Sequence, residues 1–159
     1  MKLRILAVGR AKRGAEATLI AEYAKRLHWP IAIEEIEEAR PLSGAELKAR
    51  ERALLQAALE KTAAKASGRR ILVALDERGK VLGSRDFAAR LNAWQDQGAA
   101  EILFVLGGAD GLAPEIREQA SFVLSLGQMT WPHLLARVML VEQIYRAQQI
   151  LAGHPYHRD

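Results

Sequence analysis

The chain has 159 residues, half of them hydrophobic and 26% charged, with a formal net charge of +4; this is the size and balance of one globular domain able to bury a core. It contains no cysteine, which excludes disulfides and thiolate metal sites and gives no sign of an oxidising compartment. No stretch approaches the ~20 apolar residues of a membrane span, and the apolar run in the opening MKLRILAVGRAKRG is short and followed by basic residues rather than a cleavage site, so a soluble, cytoplasmic chain is expected.

Leu3–Val8 reads as a buried strand ended by Gly9. Ala15–Trp29 places Leu19, Ile20, Tyr23 and Leu27 on one helical face, and Pro30 stops it. Residues 1–30 carry seven Lys/Arg against Glu16 and Glu22, whereas Ile31 to Glu38 is acidic. The basic cluster fits phosphate contact, and it equally fits a solvated surface. Ile31–Ile36 is a second strand. Ser43 with Glu46 forms the pattern of a capping box and opens a helix with a stripe of Leu47, Leu54, Leu55, Ala58 and Leu59, closed by Gly68.

Ile71–Asp76 is a third strand and Glu77-Arg78-Gly79-Lys80 a turn. Ser84 is placed to cap a helix reaching Gly98, Glu101–Leu106 is a fourth strand, Pro114 suits a first helical turn, and Phe122–Leu126 is a fifth strand. Strands separated by helices predict a single α/β domain over residues 1–159, with a mostly parallel sheet and helices on both faces. The last helix, about His133–Ala152, has Leu134, Val138, Val141 and Tyr145 on one face, with Leu135, Met139 and Leu140 outside it. That breadth exceeds the single stripe of a helix on a sheet. It predicts either a two-fold partner or burial within the chain.

Parallel sheets bind ligands beyond the C-terminal ends of their strands, and three loops fall there: ERGK after Asp76, Gly107-Gly108-Ala109-Asp110-Gly111, and Gly127-Gln128-Met129-Thr130-Trp131-Pro132. Neither the G-x-G-x-x-G dinucleotide spacing nor a P-loop is present. Among the histidines, His28 reads as structural or solvent-exposed, His133 as either a helix-start residue or a site residue, and His154 and His157 show no metal pattern. No nucleophile elbow, Ser/His/Asp order or paired-carboxylate motif stands out. The tail His154-Pro155-Tyr156-His157-Arg158 concentrates groups that stack on unpaired bases, move a proton near neutral pH and hold phosphate or a developing oxyanion. Disorder is the competing reading of such a terminus.

LAVGR, LDERGK at 75–80, FVLGGADG at 104–111, SLGQMTWPHLLARVMLVEQIYRA at 125–147 and HPYHR at 154–158 together resemble the ribosomal large-subunit pseudouridine N3-methyltransferase family (RlmH type) of the SPOUT class. The likeness spans essentially the whole chain and is weakest between about residues 30 and 70. It implies an α/β domain whose C-terminal segment is threaded into a trefoil knot, a feature periodicity never shows. It also implies a homodimer, no resident metal, and S-adenosyl-L-methionine as the cofactor. By that resemblance Leu75 and Gly107 contact the cofactor, and Leu126, Gly127, Gln128, Met129, Thr130 and Trp131 wrap it largely through backbone. Gly127 and Trp131 depart from the family's commoner Ser and Leu, which backbone contacts tolerate.

The implied substrate is a pseudouridine in the loop of helix 69 of 23S rRNA, within the ribosome's large subunit. Its N3 attacks the methyl carbon directly, so the protein needs only to align donor and acceptor and to deal with the N3 proton. His133, His157 and Arg158 are candidates for that task, with Tyr156 positioning the base; Arg158 is unsuited as a base because guanidinium stays protonated. Two other readings stand beside this one: a ribosome- or RNA-binding protein without catalysis, and a knotted methyltransferase acting on another acceptor such as a tRNA ribose 2′-hydroxyl.

Overall fold

The computed structural model describes residues 1–157. Ten elements follow in chain order: β1 (Lys2–Val8), α1 (Ala15–Lys25), β2 (Ile31–Ile36), α2 (Gly44–Ala64), β3 (Arg69–Val81), α3 (Ser84–Asp96), β4 (Ala99–Leu106), α4 (Pro114–Gln119), β5 (Phe122–Ser125) and α5 (His133–Leu151). The strands form one sheet in the order β2-β1-β4-β3-β5, and every pair is parallel. Alternate side chains of each strand feed opposite faces. Leu3, Ile5 and Ala7 of β1, with Val73 and Phe104, join the core under α1, α3 and α5. Leu6, Val8, Ala74, Leu103 and Val105 join the core under α2 and α4. Both faces are therefore covered, as a parallel sheet requires.

Several sequence expectations shift. Helix α1 ends at Lys25, four residues before Trp29, because the His28 amide donates to Gln148 Oε1 on α5 at 2.6 Å and the Pro30 carbonyl accepts from Leu3 to begin the sheet. Ser43 occupies the N-cap of α2 but makes no side-chain capping bond, and the helix stops at Ala64, short of Gly68. Ser84 is the first residue of α3 rather than its cap; its hydroxyl donates to Gln143 on α5 at 2.8 Å.

Strand β3 does not end at Asp76. Its register against β5 slips so that Leu75 and Lys80 both face Leu124, and the residues between loop out as a wide bulge before the strand rejoins the sheet. Gly79 makes this possible: a Cβ there would lie 2.7 Å from the Leu124 carbonyl carbon and 2.8 Å from Val123.

Helix α5 packs between α1 and α3. Its buried face comprises Arg137, Leu140, Val141, Ile144, Ala147 and Gln148, so Leu140 belongs to the core stripe and not outside it. Leu134, Val138 and Tyr145 are half-buried at its flank. Most of the helix's apolar breadth thus has a partner inside the chain. Leu135 and Leu151 remain exposed at 38% and 42%. Among the described residues no helix is long and apolar enough to cross a membrane.

Candidate active site

The bulge within β3 and the loops leaving β4 and β5 meet the first turn of α5 around a cavity of about 430 Å³. This is the crevice beyond the strand C-termini where open α/β sheets hold ligands, and its size falls in the ~300–1,000 Å³ range of cofactor sites. Leu75, Gly107, Leu126, Gly127, Met129, Thr130, Trp131 and His133 all line it. Gln128, exposed on the same loop, does not.

Local chemistry shapes the three walls. The Ser125 hydroxyl donates to the Gly127 carbonyl at 3.0 Å and accepts from the Gly127 amide at 3.2 Å, closing a side-chain-capped turn. Gly127 has φ +118°, a backbone region that disfavours any side chain. The loop after β4 folds tightly on itself: the Gly111 amide donates to the Gly108 carbonyl at 3.0 Å, and a Cβ on Gly107 would stand only 2.3 Å from Gly111. Gly107, Asp110 and Gly111 also border a second cavity of about 460 Å³ facing α2, so this loop is a thin shared wall.

Asp76, which ends the regular part of β3, has a side chain only 6% exposed and pairs with Arg117 Nη1 at 3.1 Å. The same guanidinium nitrogen donates to the Leu112 carbonyl at 2.6 Å, while Asp76 Oδ1 accepts from the Arg78 amide at 3.0 Å. One carboxylate thereby ties the β3 bulge to the β4 loop and α4. Sequence reasoning placed Asp76 at a strand end but gave it no role, and Arg117 on the short α4 carried no pattern at all.

The cavity lining combines leucine, methionine and tryptophan side chains with Asp76, Glu77 and Asp110. Asp76 is paired with Arg117 and Asp110 with Lys48, so Glu77 is the carboxylate of the three without an ion pair among the described residues. Apolar walls suit a flat purine and carboxylates suit a sulfonium or ammonium. Together with the close backbone approach that Gly107 permits, the residues present fit S-adenosyl-L-methionine. No group of three or more potential metal ligands occurs among the described residues.

His133 enters from the N-terminus of α5, its ring packed against Gly9, where a Cβ would lie 2.7 Å from Nε2. One helical turn on, Arg137 is 1% exposed and paired through Nη1 with Glu35. Burial pushes this guanidinium below its ordinary value and Glu35 opposes the shift. Sequence reasoning missed Arg137 altogether.

The tail lies elsewhere. Gly153, at φ +67°, ends α5 in a Schellman turn in which the His154 amide donates to the Gln149 carbonyl at 2.9 Å. The chain then folds back along the helix. The Tyr156 hydroxyl donates to Glu142 at 3.1 Å; its ring meets Tyr145 edge-on at 4.8 Å and lies under Arg146 at 5.0 Å. Burial, then hydrogen bonding with Tyr23 and Glu142, holds the Tyr156 phenol above its ordinary range, so it stays a donor. Glu142 lies nine residues beyond His133, about 13 Å along the helix axis. Neither Tyr156 nor the half-buried His157 lines the cavity of its own chain, and Arg158 falls outside the described residues. The structure brings seven of the eight expected cofactor residues together with His133, and sets Tyr156 and His157 apart from them.

The family model described as Predicted SPOUT methyltransferase matches residues 1–157. The chain is 55% identical over 158 residues to the Ribosomal RNA large subunit methyltransferase H of Rhodospirillum centenum, covering 99% of both chains. It is 47% identical over 167 residues to the protein of that name from Paracoccus denitrificans, covering 100% of both. Among solved structures, a protein described as a probable methylase family protein from Haemophilus influenzae Rd KW20 superposes with TM-score 0.55 at 13% identity, over 99% of this chain and 70% of that one. The SpoU methyltransferase AviRb from Streptomyces viridochromogenes, in complex with the cofactor AdoMet, superposes with TM-score 0.52 at 15% identity, over 94% and 58%. These two likenesses speak for the fold.

Proposed function

The chain belongs to the SPOUT methyltransferase family, and from that premise we propose that it transfers a methyl group from S-adenosyl-L-methionine to N3 of a pseudouridine in helix 69 of 23S rRNA. The observation that carries this reading is the full-length likeness to large-subunit rRNA methyltransferases, joined to a cavity that gathers seven of the eight expected cofactor residues with His133. A binding protein without catalysis has no need of such a cavity. The threading of the C-terminal segment into a knot belongs to the same proposal and rests on the family likeness.

In this cavity S-adenosyl-L-methionine supplies an electrophilic methyl carbon on a sulfonium. The chain's own residues do the rest. Leu75, Leu106, Leu126, Met129 and Trp131 would supply the apolar contacts to the cofactor, and backbone around Gly107 and Gly127–Trp131 would supply hydrogen-bonding groups. His133, which lines the cavity, is the side chain we assign to receiving the N3 proton or stabilising the deprotonated ring. Arg158 offers a fixed positive charge to a phosphate or oxyanion, with His157 beside it.

The tail's distance from the cavity of its own chain supports a two-fold homodimer, in which the tail of one copy reaches the other's cavity. Trp131, Leu135 and Met129, exposed at 39%, 38% and 71%, are the apolar surface such a partner would cover. Tyr156, held by Glu142 and Arg146, then anchors the tail, while its neighbours meet the RNA.

Mass mapping of rRNA and tRNA from a strain lacking this chain tests the proposal. The expected result is loss of one methyl in the helix 69 loop with tRNA unchanged. Loss of a tRNA ribose methyl instead would assign the same cavity to a different acceptor.

A further inference from the structure

Arg137 sits where the core would take a leucine. The buried face of α5 runs Arg137, Leu140, Val141, Ile144, yet at its first position stands a guanidinium 1% exposed, whose buried Nε has no hydrogen-bond partner among the described residues. Removing a charge from water costs several kcal/mol, and buried ion pairs commonly return no net stability. Stability therefore explains this residue poorly.

Its connections explain it better. Arg137 Nη1 donates to Glu35 Oε1 near the end of β2, and Nη2 donates to the carbonyls of Gly9 at 2.9 Å and Val8 at 3.3 Å. The same Glu35 oxygen accepts from the Ala11 amide at 2.9 Å, and the Gly9 amide donates to the Ile36 carbonyl at 2.8 Å. The turn after β1 is thus held at both its amides and its carbonyls. Against its open side lies the His133 ring, so close that a Cβ on Gly9 would stand 2.7 Å from Nε2 and 2.9 Å from Cδ2. Gly9 has φ +89°, which glycine adopts without strain. His133 and Ala136, on the same turns of α5 as Arg137, both line the cavity.

We propose that Arg137 is a positioning residue for methyl transfer: with Glu35 it clamps the Gly9 turn, and that turn seats the His133 imidazole at the cavity wall. The proposal rests on reading His133 as a group that faces the acceptor. Arg137 itself touches neither donor nor acceptor. Lysine at 137 keeps the charge but cannot serve Glu35 and two carbonyls with one planar fork.

The test uses the full-length enzyme and the variants Arg137→Met, Arg137→Lys, His133→Asn and the double variant Arg137→Met/His133→Asn. Steady-state methylation gives kcat and KM, calorimetry gives the cofactor Kd, and carbon-edited NMR of histidine-labelled protein without cofactor or RNA reports the His133 ring directly. In Arg137→Met kcat should fall roughly tenfold to a hundredfold, the scale of an ångström of misplacement, with KM and cofactor Kd changed less than about twofold. Arg137→Lys should recover part of the loss. The double variant should be no slower than His133→Asn alone, because both changes remove one positioned ring. Losses that multiply would overturn the proposal, and so would a His133 resonance unmoved in Arg137→Met. A wild-type rate in His133→Asn would instead refute the reading of His133, with the resonance still reporting whether the clamp exists. Where Arg137→Met does not fold, Gly9→Ala displaces the same ring from the other side and must give the same kcat loss and resonance shift.

Discussion

Gly107→Ala is the sharpest probe of the cofactor cavity. The added Cβ would lie 2.3 Å from the carbonyl carbon and oxygen of Gly111 and 2.8 Å from the Leu112 amide nitrogen. Ordinary contact begins near 3.4 Å, so the Gly111 backbone must retreat by roughly 1 Å. It has little freedom to do so. The Gly111 amide is bonded to the Gly108 carbonyl, and the next carbonyl, of Leu112, is held by Arg117 at 2.6 Å. Overpacking of this kind costs about 1–3 kcal/mol. The displaced loop is the cavity wall, so if cofactor binding must restore it, that cost weakens the Kd about fivefold to 150-fold. Titration calorimetry with S-adenosyl-L-methionine reads this directly, with thermal unfolding as the control for global damage. Gly83→Ala, where a Cβ meets nothing nearer than Asp86 at 3.8 Å, should bind normally. A Gly107→Ala protein with an unchanged Kd would refute the placement of the cofactor against this loop.

Truncation after Gly153 should abolish methylation while cofactor affinity stays near wild type; retained turnover would remove the tail from the site. Leu135→Glu should shift sedimentation from dimer to monomer, whereas Val138 is a poorer choice because it packs on the chain's own core. A dimer that survives Leu135→Glu places the interface elsewhere. Glu38 is held at about 2, below its ordinary 4.5, first by hydrogen bonds from Arg40 and then by Arg50. A depressed carboxyl stabilises the fold above its unfolded value and loses that contribution as pH falls from about 4.5 towards 2. Glu38→Gln should therefore flatten the dependence of the denaturation midpoint on pH within that window, and an unaltered profile would discount the contribution of the Arg40 and Arg50 hydrogen bonds.

Elements defined by local pattern were legible from the residues alone. All five strands, α5 and the glycine loops at strand ends follow from apolar runs, periodicity and chain punctuation, and the cavity forms where parallel-sheet logic places it. What failed was set by contacts distant in sequence. The Ser84 hydroxyl leaves capping for Gln143, 59 residues away, and α1 ends early because His28 bonds Gln148, 120 residues on. The β3 bulge depends on the passage of β5 against Gly79. The buried face of α5 shifted to Leu140 and Ile144 because the helix lies between α1 and α3, which no helical wheel reveals. Arg137 stayed invisible because a lone arginine in an apolar stripe reads as a surface residue until Glu35 and the Gly9 carbonyl are seen around it. The tail was legible as chemistry, but its distance from the cavity of its own chain was not.

The most direct test of methyl transfer to rRNA is a reaction of the purified protein with methyl-labelled S-adenosyl-L-methionine and ribosomes from the deletion strain, followed by mass mapping of the 23S rRNA. One labelled methyl per ribosome, on N3 of a helix 69 pseudouridine and absent when that position is an unmodified uridine, is the result predicted. Label on another nucleotide, or no transfer by a protein that binds the cofactor, would contradict it.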